Sequence, residues 1–428
     1  LAVILPWRTA RHAATRLLAS LAGALAGLAP YLHLLLADEA RMPRWGDTSS
    51  WYGLVHHVLR RDYGTFSLAL SGKPAPLENL WHYLRHLPGQ TAFVMWIAAL
   101  LGMAVLARRG PRRAISIALA ALPVLAGPAF FLLFNLGSEG VGGQLTERFH
   151  ILPNALLAVC AGVGLAAADA RWLGSGERLR SRAWRGVAFA VPVLSAFFSY
   201  GRADASRSYA IEDHAVNSLL SVEKNALVLG EGDVQLFSKL YAQEMLHVRP
   251  DVRYVDVRLL LYPWYVAQKK LAHPDFPYEF TPGNVDTLGL IRRELAAGTP
   301  VYLAAAYNDK VLRAFGGYPV GPLYRLLPKD EPPPAPAKLA ELNRRLYARF
   351  VHRGLPPDPG LDPSSARLLE TYARTWSSIA LALHDTGDEK GSARALAEAG
   401  KWAPWLPTPR WPAGARAPYA SRIRVPVL

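Results

Sequence analysis

The chain has 428 residues, a formal net charge of +15, 51% hydrophobic residues and a mean hydropathy of only +0.10. That balance excludes a protein embedded in a membrane throughout and calls for apolar spans beside a sizeable water-soluble part. Nucleic acid is excluded as the partner of the positive charge, because the arginines cluster at the ends of apolar runs instead of lying along a groove among stacking aromatics.

Five candidate spans precede residue 200, at about Leu17 to Ala37, Leu87 to Ala107, Ala114 to Leu136, Phe149 to Ala168 and Ala183 to Tyr200. Each is near the ~20 residues that a helix needs to cross hydrocarbon. Arg8, Arg11 and Arg16 precede the first span, Arg108, Arg109, Arg112 and Arg113 follow the second, and Arg171, Arg178, Arg180, Arg182 and Arg185 follow the fourth. The loop Gly137 to Glu147 holds Glu139 and Glu147 and no basic residue before Arg148. The bias predicts a cytoplasmic N-terminus and an extracytoplasmic C-terminal part. Cys160, the single cysteine, falls inside the fourth span, so no intrachain disulfide is expected. The chain starts at Leu1 without a signal-peptide pattern and reads as a fragment of a longer protein.

The outer loop 38–88 carries the sequence Arg44-Trp45-Gly46-Asp47-Thr48 and then an amphipathic stretch with Trp51, Leu54, Val55, Val58 and Leu59. This predicts a tight turn, a helix capped by Thr48, and a segment lying along the membrane surface. A second helix is expected from Glu78 to His86. Pro123 and Pro128 predict a kink in the third span, buried in protein so that its backbone stays satisfied.

After residue 200 the pattern changes. Short β runs at Ala226 to Leu229, Val252 to Val257 and Pro300 to Ala304 alternate with helices near Val234 to Leu246, Trp264 to Leu271 and Thr287 to Ala296. Residues 201–327 therefore read as an extracytoplasmic α/β domain with a small parallel or mixed sheet. A Pro-rich linker, 328–336, leads into a helical tail, 337–428. Its helices fall near Ala337 to His352, Ser364 to His384 and Lys390 to Trp402, and residues 364–404 suggest one tetratricopeptide-type hairpin.

Among candidate site residues, Asp47 lies just outside the first span, where a carboxylate can act as a base or simply solvate the loop. Arg60, Arg61 and Arg148 offer planar forks suited to a lipid phosphate; Arg60 and Arg61 suit headgroup anchoring equally, and Arg148 stands out because its outer loop holds so few positive charges. His82 and His86 stand one helical turn apart with Glu78 one turn earlier. No Cys or Asp cluster completes a ligand set, so no metal or other cofactor is expected. At the strand ends, Glu231, Asp233, Asp256 and Asn308 could bind a polar ligand, or serve as caps as Asp233 would.

The motifs Arg44-Trp45-Gly46-Asp47-Thr48 through Tyr63-Gly64-Thr65-Phe66-Ser67-Leu68, Glu147-Arg148-Phe149, Pro153-Asn154-Ala155 and Ala161-Gly162, and Arg249-Pro250-Asp251-Val252 with Trp264-Tyr265, resemble the transmembrane protein 260 family. The resemblance covers roughly Ala29 to Tyr265. It implies a partial multi-span α-helical membrane domain, residues 1–200, of the glycosyltransferase type C kind. It also implies a polyprenyl-phosphate-linked sugar donor and a protein or glycan acceptor on the extracytoplasmic face. The family's acidic motif lies upstream of the matching residues, so this chain would supply donor and acceptor binding. Two other readings stand beside this one: a non-catalytic membrane-anchored binding protein and a transporter of lipid-linked sugars.

Overall fold

The computed structural model describes residues 10–36, 44–63, 75–91, 93–109, 113–133 and 146–172, part of 186–200, residue 204, and residues 206–304, 309–354 and 362–409. The chain divides into two compact units, Leu1–Ala203 and Asp204–Leu428. It is mostly helical, with one small sheet.

In the first unit, α1 (Ala10–Leu28) continues as a 3₁₀ stretch, Ala29–Leu35, whose Pro30 stands at the first turn, where a missing N–H costs nothing. After the outer loop come α2 (Trp51–Val58), α3 (Pro76–Thr91), α4 (Phe93–Arg109) and α5 (Arg113–Val124). A π turn at Leu125–Ala129, preceded by Pro123 in α5 and containing Pro128, joins α5 to α6 (Phe130–Leu133). This is the interruption expected of the third span, and buried Gly127 lies in it against the Tyr83 phenol. A 3₁₀ turn, Arg148–His150, then opens α7 (Ile151–Trp172).

Among the described residues three helices are long and apolar enough to cross a membrane: Leu17–Leu35, Ile115–Leu133 and Arg148–Arg171. The second expected span is divided. Leu87 belongs to α3, where it packs with Tyr83 and Phe131, and the apolar part of α4, Met95–Arg108, is shorter than a crossing requires. Most of the fifth expected span, Ala183 to Tyr200, lies outside the described residues. α4 and α7 pack backbone to backbone because a Cβ at Gly102 would collide with the Cys160 carbonyl, and one at Gly164 with the Ala98 carbonyl. Small residues at such a crossing replace the hydrophobic drive that lipid removes.

The second unit begins with α8 (Ala210–Leu220), a helix that the sequence reading lacks. β1 (Leu227–Gly230), α9 (Asp233–Glu244), β2 (Arg253–Asp256), α10 (Pro263–Ala272), α11 (Thr287–Ala296) and β3 (Val301–Ala304) follow. After α12 (Asp309–Ala314), β4 (Gly316–Val320) and β5 (Leu323–Leu327) form a hairpin. The strand order is β2-β1-β3-β5-β4, with β2, β1 and β3 parallel and β5 antiparallel to β3. All four residues of β1 are buried, as a central parallel strand covered on both faces requires. Arg253 holds Glu294 through two hydrogen bonds of 2.8 and 2.7 Å, tying β2 to α11.

The tail helices α13 (Pro336–Tyr347), α14 (Pro363–Asp385) and α15 (Glu389–Trp402) pack on α8 through an aromatic core in which Tyr372 stacks on Trp402 at 4.3 Å. Asp362 and Asp388 cap α14 and α15 by accepting from the N–H groups of Ser365 and Gly391. Asn217 of α8 both donates to and accepts from the backbone of Val351, and Arg353 reaches back to Asp213.

Candidate functional site

The described outer-loop residues 44–63 lie against the 3₁₀ stretch Ala29–Leu35. Arg44 donates from Nη1 to the Leu34 carbonyl at 3.1 Å, and the rings of Tyr31 and His57 lie 6.4 Å apart. Gly46 sits at φ +92°, a conformation that favours glycine, and turns the chain into Asp47. The exposed Asp47 carboxylate accepts from the Ser49 hydroxyl at 2.7 Å and the Ser49 N–H at 3.3 Å. Thr48 does not cap α2. It is buried near Arg44, and Ser50 is the cap, accepting from the Gly53 N–H at 3.1 Å. Gly53 is needed there because any Cβ would meet the Asp47 carbonyl.

The α2 face also differs from the expected one. Leu54 points inward at 4% exposure, whereas Trp51, Tyr52, Val55 and Leu59 stand exposed, Trp51 at 66%. This apolar face, set on a capped helix, is the form of a segment that lies in a bilayer interface. Arg60 ends α2 with φ +52° and donates its N–H to the His57 carbonyl. Arg60 and Arg61 are both exposed, and His56 meets Asp62 at 2.9 Å.

Arg148 belongs to a second cluster. Its turn, Glu147 to His150, packs against α3, with Glu147 Oε1 4.0 Å from His82 Nε2. Tyr83 and Phe131 stack at 4.7 Å, and His150 meets each edge-on at 5.1 Å, forming a buried wall behind the turn. Arg148 itself is exposed. Asp47 thus precedes α2 and Arg60 and Arg61 follow it on the same segment, whereas Arg148 stands beside α3.

In the α/β unit, the Asp256 carboxylate accepts from the N–H groups of Gly232 (2.8 Å), Arg258 (3.0 Å) and Leu259 (3.3 Å). Burial raises its pKa and these three bonds oppose the rise. Asp256 therefore organises the ends of β1 and β2. Glu231 pairs with Arg258, Asp233 occupies the first turn of α9 after a Gly232 cap, and Asn308 lies outside the described residues.

Two further basic residues have structural roles that the sequence does not show, although Arg249 belongs to a motif that carries the resemblance. Arg249, at φ +51°, pairs with Asp251 at 2.8 Å and donates to the carbonyls of Leu219, Val222 and Glu223, clamping the end of α8 to the start of β2. Its hydrogen bonds hold the Asp251 carboxyl well below the usual carboxylate range. Lys239 is fully buried, donates to Gln235 and lies 5.3 Å from the centre of the Tyr254 ring, and burial lowers its pKa to about 7.

Residues 211–277 match the family described as TMEM260-associated domain 2. The chain is 29% identical over 250 residues to the protein O-mannosyl-transferase TMEM260 of Mus musculus, covering 57% of this chain and 35% of the relative. It is 23% identical over 284 residues to the protein O-mannosyl-transferase tmem260 of Dictyostelium discoideum, covering 61% of this chain and 34% of the relative. No solved structure matches. The chain spans about a third of the length of these relatives. The matched helical and α/β segment and the two relatives agree with the motifs read from the sequence, so over these residues the chain is similar to the transmembrane protein 260 family.

Proposed function

We propose that this chain is part of a membrane mannosyltransferase that moves a sugar from a polyprenyl-phosphate donor to a protein hydroxyl on the extracytoplasmic face. The observation that carries this reading is the similarity to two relatives named protein O-mannosyl-transferases. The arginine bias around the apolar helices supports the orientation. The donor phosphate falls to Arg148, an exposed fork at the start of a membrane-length helix, and to Arg60 and Arg61 beside the apolar face of α2. Asp47, braced by Ser49, orients the reacting groups. Glu231, Asp233 and Asp256 at the strand ends, Asn308 by its place in the sequence, and α14 and α15 as a tetratricopeptide-type hairpin serve the acceptor polypeptide.

The test is sugar transfer by the full-length natural protein from mannosyl-phosphate-polyprenol to an acceptor protein, with Arg148→Lys and Arg148→Ala compared. The lysine keeps the charge and loses the bidentate fork, so transfer falls at least tenfold in both variants while membrane insertion persists. Unchanged transfer in both assigns Arg148 to headgroup anchoring. A non-catalytic binding protein would give no turnover from any donor while still retaining an acceptor.

A further inference from the structure

His82 and His86 lie one turn apart on α3, and the fold brings Glu147, distant in sequence, to the same place. One ligand atom from each residue lies within 4.8 Å of the others, and His82 Nε2 stands 4.0 Å from Glu147 Oε1. His82 is 7% exposed, and its Nε2 has no hydrogen-bond partner among the described residues. His86 Nδ1 lies 2.8 Å from the His82 carbonyl. A carbonyl oxygen only accepts, so Nδ1 carries the proton and the lone pair of His86 resides on Nε2. Such a backbone bond from the second ring nitrogen commonly orients a ligating histidine.

We propose that His82, His86 and Glu147 bind a divalent cation of the zinc class, with a fourth position left to water or an anionic oxygen. Two imidazoles and one carboxylate form the donor set of an open zinc site. Bonds of about 2.0–2.1 Å at a tetrahedral centre place donor atoms about 3.4 Å apart. The atoms of the trio lie within 4.8 Å of one another, wider than this, so closing on a cation requires side-chain rotation, for which Glu147 is exposed and His86 half-buried. The 4.0 Å between His82 Nε2 and Glu147 Oε1 is too long for a hydrogen bond, so the two groups are not bonded directly to each other. The Tyr83, Phe131 and His150 rings wall the inner side, which excludes water behind the ligands.

The experiment uses the full chain without a polyhistidine tag, purified in detergent, stripped with a chelator and titrated with Zn²⁺ by calorimetry and with Co²⁺ by visible absorption. The expected result is one equivalent of Zn²⁺ and the intense d–d bands of four-coordinate Co²⁺. His86→Gln and Glu147→Gln, both at accessible positions and checked for helicity by circular dichroism, each weaken Zn²⁺ binding at least tenfold. His56→Gln, on α2, leaves it unchanged. The proposal is overturned if the wild-type chain shows no saturable one-equivalent binding, or if His86→Gln and Glu147→Gln both bind Zn²⁺ as the wild type does.

Discussion

Arg249 and Lys239 show two opposite ways in which a basic side chain serves the α/β unit. Arg249 is satisfied by a carboxylate and three carbonyls, so it locks the matched Arg249-Pro250-Asp251 motif into a structural joint. Lys239 is fully buried with only the uncharged Gln235 and the face of Tyr254 beside its ammonium, and burial penalises its charged form. Its folded pKa of about 7 lies below the ordinary value of 10.5. Between these values the unfolded chain binds a proton that the folded chain does not, so this residue makes stability rise with pH from about 7 to about 10.5 and fall on acidification toward 7. Lys239→Met removes that slope. Thermal unfolding measured at pH 7 and pH 9 should show a smaller difference in Tm for the variant, with the variant the more stable at pH 7. A wild-type-like slope in Lys239→Met would assign the pH dependence elsewhere.

At the scale of elements, the apolar helices α4 and α7 meet through small residues. Gly102→Leu or Gly164→Leu forces α4 and α7 apart and is expected to destabilise the first unit by about 1–3 kcal/mol or more. Gly162, with open space around its Cβ position, should accept leucine with little effect. Thermal stability of the three variants in detergent checks this, and equal losses at all three positions would contradict the packing.

The same scale shows what the sequence makes legible. Apolar length identified the first, third and fourth spans, and β runs between amphipathic stretches marked β1, β2 and β3 to within a few residues. The division of the second span was hidden because Leu87 is as apolar as a lipid-facing residue, and only its packing on Tyr83 and Phe131 assigns it to α3. The β4–β5 hairpin was hidden by Gly316, Gly317, Pro319 and Gly321, which read as turn residues, although Pro319 is tolerated because β4 is an edge strand. At the sites, residue types were visible and partners were not. Asp256 looks like a ligand-binding acid until its three backbone donors are seen, and Glu147 joins His82 only through the fold.

For the whole molecule, the charge pattern predicts which side of the membrane each segment faces. Reporter fusions after Arg113 and after Arg185 should read as cytoplasmic, and fusions after Gly142 and at Pro332 as external. An inverted pattern would place Arg148 on the side where soluble nucleotide sugars are the expected donors.

Donor competition distinguishes the proposed transfer from a lipid-borne sugar from transfer out of a nucleotide sugar. Membranes containing the full-length natural protein are incubated with an acceptor protein and either mannosyl-phosphate-polyprenol or a nucleotide-linked mannose, and attached sugar is read by mass spectrometry. The account predicts transfer from the polyprenyl donor, lost or reduced at least tenfold in Arg148→Ala, and none from the nucleotide donor when lipid-donor synthesis is blocked. Transfer from the nucleotide sugar under that block, unaffected by Arg148→Ala, would contradict it.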